Sequence, residues 1–96
     1  MCGIFGSVGE MLSEGQQAAA LLALRGRGPD SQGRWQDHNA TLLHTRLAIQ
    51  DLSSLGNQPM TNSTEDMVLV FNGEIYNQLE LRQELEQLGC CFRSHS

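Results

Sequence analysis

Five consecutive apolar residues, Met67-Val68-Leu69-Val70-Phe71, stand between the polar stretch TNSTED and the tripeptide NGE. A run without polar residues at alternate positions predicts a strand buried on both faces, and such a strand needs other elements above and below it. In a chain of 96 residues this predicts one small layered domain near the lower limit of independent stability.

The other segments fit that layering. CGIFGSVG at the start reads as a short, mostly apolar strand, with glycines at 3, 6 and 9 allowing close approach or a bend. Its spacing is not G-x-G-x-x-G, so no dinucleotide site is expected. From Ser13 the pattern turns helical. Ser13 and Gln16 form a candidate capping box, Ala18–Ala20 and the leucines after them favour helix, and Gly26 is the expected stop. RGRGPDSQG, from Arg25 to Gly33, reads as a structured loop, because Pro29 fixes its own φ and biases Gly28 away from helix. ATLLHTRLAIQDL then reads as one or two strands, Pro59 marks a second loop, and residues 61–66 read as a polar turn. Asn77 with Glu80 suggests a second capping box. Leu81, Leu85 and Leu88 form the stripe of an amphipathic helix, and Gly89 its C-cap.

Composition narrows the function. The formal net charge is −5, and all the positive charges are arginines. No basic patch with interleaved aromatics exists, so nucleic acid is not an expected partner. The absence of lysine removes Schiff-base and P-loop lysine chemistry. The three cysteines are Cys2, Cys90 and Cys91. Their number and positions argue against a disulfide framework and lack zinc-ligand spacing; reduced thiols in a cytoplasmic protein are the expectation. No signal peptide or membrane-length apolar stretch is visible.

Three places carry chemistry. Cys2 has no His, Asp or Glu near it in sequence. If Met1 is removed, Cys2 becomes the N-terminal residue and carries its own base. An α-amine titrates at about 7.7–8.0 and a thiol at about 8.5, so the amine can take the thiol proton directly or through one water. The alternative is a small buried residue of a first strand. At HTR, residues 44–46, Arg46 could grip a carboxylate with two hydrogen bonds or form a surface ion pair. His44, two residues away on the same strand face, reads as a hydrogen-bonded core histidine or a catalyst. In FNGEIYN, residues 71–77, the Asn72 side chain and the Gly73 N–H could both point at one oxygen, as in an oxyanion hole. An ordinary Asn-Gly turn is the alternative, weakened by the helix-forming sequence after Tyr76.

Taken in order, MCGIFG, RGPD at 27–30 with Gly33, HTRLAIQDLS at 44–53, QPM at 58–60, LVFNGEIYN at 69–77 and ELRQEL at 80–85 with Gly89 resemble the glutaminase domain of class II glutamine amidotransferases. They resemble in particular the branch of the glutamine-hydrolysing asparagine synthetases. Hexosamine-forming members of the superfamily resemble HTRWATHG and HNGIIEN instead. The branch includes enzymes that amidate other carboxylates, so the resemblance leaves the acceptor open.

The resemblance implies an α+β fold: the four-layer αββα sandwich of N-terminal-nucleophile hydrolases, with antiparallel sheets, of which only the N-terminal half is present. Residues 1–96 would be one type 2 glutamine amidotransferase domain, incomplete at its C-terminal end. Cys2 would attack the side-chain amide of glutamine, while Asn72 and the Gly73 amide stabilise the oxyanion. Arg46 would hold the α-carboxylate. Leu47, Ala48, Ile49 and Gln50 would line the pocket through backbone groups, with Ile49 facing the substrate, and Glu74 would complete the contact. RGPD would shape the pocket rather than react. Gln50 stands where the family usually has an aliphatic residue, which backbone contacts would tolerate. The family continues past the S-x-S near residues 94–96 with an Asp that binds the α-amino group. The implied partners are L-glutamine and a C-terminal synthetase domain, and a homodimer is allowed. The glutaminase half implies no cofactor; ATP and Mg belong to the synthetase domain. The rival expectation is an inactive truncated remnant, or an amidotransferase for a different acceptor.

Overall fold

The structure is a computed structural model and describes residues 1–95. Strands β1 (Gly3–Val8), β2 (Ser31–Gln36) and β3 (Ala40–Arg46) form an antiparallel sheet in the order β1-β3-β2. The hairpin between β2 and β3 closes on Asp37, whose Oδ1 accepts from the N–H groups of Asn39 and Ala40, both at 2.8 Å. These bonds hold the Asp37 carboxyl below its usual pKa.

The central strand sorts its side chains by the two-residue period. Thr41, Leu43 and Thr45 face helix α1 (Glu14–Leu24), where Leu43 and Leu21 are the buried apolar residues. Polar contacts join the layers. Thr45 Oγ1 donates to Leu24 O at 3.0 Å, and Gln36 Nε2 donates to Thr41 Oγ1 at 2.8 Å and Leu12 O at 3.1 Å. Gln17 Nε2 donates to Gln36 Oε1 at 3.1 Å. His44 and Arg46 point to the opposite face and are also buried.

The Ser13 capping box forms with both hydrogen bonds, at 3.1 and 2.9 Å. Helix α1 ends at Leu24, just before the expected stop, with Arg25 still right-handed. The segment expected to be a loop through Gly33 contributes half of β2, because β3 supplies a pairing edge that outweighs the turn-forming composition.

After a short 3-10 turn (Ser54–Gly56) the chain forms β4 (Met60–Thr61) and β5 (Val68–Leu69), a two-residue antiparallel pair. The polar turn between them closes on Asn62, whose Oδ1 accepts from Met67 N–H at 2.9 Å. The expectation of a strand buried on both faces at 67–71 is corrected: only Val68 and Leu69 are strand, and Met67 and Leu69 are exposed. Among the described residues of β5, Val68 is half-buried and Leu69 exposed.

Helix α2 (Gln78–Gln87) starts and ends as expected but by partly different means. Asn77 sits at the N-cap position without a side-chain hydrogen bond, so the second capping box is not made. Its φ of −98° and ψ of 28° are far from the extended backbone that aims a cap oxygen at the first turn. Leu81, Leu85 and Leu88 are exposed, and α2 has no buried residue among those described. The C-terminus follows the expected motif. Gly89 has φ 94°, with Cys90 N–H on Leu85 O at 2.9 Å and Gly89 N–H on Glu86 O at 3.0 Å.

Candidate functional site

Cys2 lies half-buried just before β1. Its Sγ accepts from Leu47 N–H at 3.4 Å and donates to Leu47 O at 3.7 Å. Arg27 Nε donates to Cys2 O at 3.0 Å. Gly3 lets β1 enter this position, because a β-carbon there would stand 2.6 Å from Thr45 Oγ1 and 3.1 Å from Leu24. The sulfur is thus placed by the end of β3 and by the loop after α1.

The RGPD loop works on the same strand end. Asp30 N–H donates to Arg46 O at 2.9 Å, and Asp30 Oδ2 accepts from Ala48 N–H at 2.7 Å. Gly28 packs directly on the main chain of Thr45 and Arg46.

A cavity of about 620 Å³ opens beside Cys2 and brings together Arg46, Leu47, Ile49, Gln50, Asn72, Gly73 and Glu74. Pockets for small molecules have volumes of this order, about 300–1,000 Å³. Ala48 does not line it, since its N–H is turned to Asp30. Gln50, the residue at the unusual position, donates from Nε2 to Glu74 Oε1 at 3.0 Å and so joins two segments of the rim. A second cavity of about 460 Å³, between α1 and β2, contains none of the expected site residues.

Arg46 ends β3 with its guanidinium buried in the cavity wall. Nη1 donates to Ser53 O at 2.6 Å and to Asn57 Oδ1 at 2.9 Å, and Nη2 donates to Asp51 O. The planar head is therefore held in orientation by acceptors from Asp51, Ser53 and Asn57. Asp51 fixes that loop: Oδ1 accepts from Ser53 Oγ at 2.6 Å and Ser53 N–H at 2.8 Å, and Oδ2 accepts from His95 N–H at 3.0 Å. These bonds lower the Asp51 pKa to about 2, with the Ser53 hydroxyl the largest cause. Sequence patterning gave no sign of this role for Asp51.

His44 is buried as expected, but neither ring nitrogen has a hydrogen-bond partner among the described residues. The expectation of a hydrogen-bonded core histidine is corrected to that extent. Burial is the main cause that pushes its pKa down and Arg46 adds to it, while the Phe71 main chain opposes them. No helix among the described residues is long and apolar enough to cross a membrane.

The whole chain, residues 1–96, matches the family model described as a glutamine amidotransferase domain, and the chain belongs to that family. It is 42% identical over 101 residues to a probable glutamine-hydrolysing asparagine synthetase of Dictyostelium discoideum, covering 100% of this chain and 18% of that protein. It is 44% identical over 70 residues to asparagine synthetase 1 of Bacillus subtilis, covering 73% of this chain and 11% of that protein. With asparagine synthetase 1 of Arabidopsis thaliana the identity is 41% over 92 residues, 90% of this chain and 15% of that protein. The chain thus spans less than a fifth of the length of these relatives.

Proposed function

We propose that this chain is the glutaminase domain of a glutamine-hydrolysing asparagine synthetase. The observation that carries the reading is the convergence of Cys2, Arg46 and the Asn72–Gly73–Glu74 turn, from three separate segments, on one cavity.

Removal of Met1, which is exposed, leaves Cys2 with a free α-amine as its base. The amine takes the thiol proton, and the sulfur attacks the side-chain carbonyl of glutamine. Negative charge develops on that oxygen, where the Asn72 side chain and the Gly73 N–H donate to it. Arg46 holds the α-carboxylate from the cavity wall, and the main chain of residues 47–50 with Glu74 frames the rest of the substrate. Collapse of the intermediate breaks the C–N bond; ammonia leaves with the proton from the amine. Water then attacks the thioester and releases glutamate.

The ammonia serves an ATP- and Mg-dependent amidation of aspartate in a C-terminal synthetase domain, to which none of the present residues is assigned. The antiparallel sheet with α1 on its outer face supports the sandwich of N-terminal-nucleophile hydrolases. The three free cysteines suit a reducing cytoplasm.

The test uses the full-length protein. Mass spectrometry should find Met1 removed, and Cys2→Ala should lose glutamine hydrolysis by about 10³-fold or more. Hydrolysis retained by Cys2→Ala would overturn the mechanism.

A further inference from the structure

We propose that Gln58 is a positioning residue for the oxyanion-binding turn at Asn72 and Gly73, acting through the main chain of Phe71; this rests on the amidotransferase reading above. Gln58 Nε2 donates to Phe71 O at 3.2 Å, and Gln58 Oε1 accepts from Phe71 N–H at 2.6 Å. The side-chain amide thus makes both bonds that a neighbouring strand would make.

The register explains why a side chain does this. Met60 pairs with Leu69 and Thr61 with Val68, so residue 58 faces residue 71. The β4–β5 ladder has ended by then, and Phe71 has passed the last strand residue. The carbonyl of Gln58 is turned away against β2: a β-carbon on Gly33 would overlap it. The carbonyl of residue 58 thus packs on β2 at Gly33, while its amide side chain continues the ladder by one pair. Asn72 follows Phe71 directly, and Gly73 packs against the Phe71 ring, 2.8 Å from a built β-carbon to the ring. Phe71 therefore sets where the two oxyanion donors stand. Such donors act at distances of about 2.7–3.1 Å, and a shift of about 1 Å in positioning can cost about 10²-fold in rate.

The test again uses the full-length protein, with Gln58→Met and Gln58→Glu. Gln58→Met keeps the volume and removes both bonds. It should lower kcat by about 10-fold or more and leave the KM for glutamine within about twofold, because the oxyanion donors are engaged in the transition state. In Gln58→Glu an ionised carboxylate would face the Phe71 carbonyl, whereas the protonated acid restores one donor and one acceptor. The ratio of its kcat to that of the unmodified protein should rise severalfold as pH falls from about 7.5 to about 5. Hydrogen exchange at the Phe71 amide should accelerate about 10-fold or more in Gln58→Met.

A raised KM with unchanged kcat would overturn the proposal, as would a flat ratio with pH. If Gln58→Met does not fold, the pH ratio of Gln58→Glu decides. Cys2→Ala in the same assay separates the two readings. Activity that survives it defeats the amidotransferase reading, and Phe71 exchange still judges the clamp: unchanged protection in a folded Gln58→Met overturns it.

Discussion

Gly56 and the guanidinium of Arg46 are in direct contact: a β-carbon on Gly56 would overlap Nη2. Gly56 is buried, and it lies between Ser53 and Asn57, both of which accept from Nη1. The loop therefore grips the arginine head with oxygens around a gap that only glycine leaves. Gly56→Ala should push the guanidinium out of this alignment. The expected outcome in steady-state kinetics is a KM for glutamine raised about 10-fold, with a smaller change in kcat. Denaturant unfolding should show a loss of about 1–3 kcal/mol, the usual range for overpacking. An unchanged KM would contradict the carboxylate role proposed for Arg46.

His44 gives a pH dependence of definite sign. Its folded pKa is lowered, so the unfolded chain binds the proton more readily. Stability from this group is constant above the unfolded value of about 6.5 and falls as pH drops below it, until the folded value is passed. His44→Leu removes the titration and leaves no unpaired buried nitrogen. It should be close to neutral at pH 8 and more stable than the unmodified protein at about pH 5.5. Thermal unfolding at the two pH values measures this. A variant equally destabilised at both would show that the imidazole has a partner worth more than its burial cost.

Asp51 titrates in the opposite sense of use. Its folded pKa, about 2, lies below the unfolded value of about 3.9. Its contribution is therefore complete above pH 4 and disappears as pH falls through the folded value. In Asp51→Asn an amide must meet the His95 N–H that the carboxylate now accepts. The variant should be less stable than the unmodified protein at pH 7, and the difference should shrink toward zero at about pH 2. Urea unfolding across that interval checks it; a difference independent of pH would mean the charge plays no part.

Local signals read well where the chain obeys them locally. Ser13 and Gln16 cap α1 with both bonds, and Gly89 closes α2 in the left-handed region. Asn77 and Glu80 have the same spacing as the first box, but the backbone at Asn77 is not extended, so identical patterning yields no bond. The apolar run at 67–71 specifies burial without saying what supplies it, and only Val68 and Leu69 of it pair with another strand. Strand β2 was hidden because Ser31, Gln32 and Gly33 look like turn formers until β3 lies beside them. Cys2, Arg46, Asn72 and Gly73 could be picked out by chemical type and Glu74 only through the resemblance, and all five share one cavity. Gln58 and Asp51 could not, because their roles depend on register and on contacts between segments far apart in the chain.

The order of the first sheet also has a meaning in time. Strand β1 lies at one side of the sheet, and its partner β3 comes after both α1 and β2. Synthesis proceeds at about 5–20 residues per second, so some seconds separate the making of Gly3–Val8 from the making of its pairing partner. The amidotransferase reading proposed above requires cleavage of the Met1–Cys2 peptide, and during that interval β1 has no partner strand to hold this end. The sheet order thus leaves a window for processing before folding begins to restrict it.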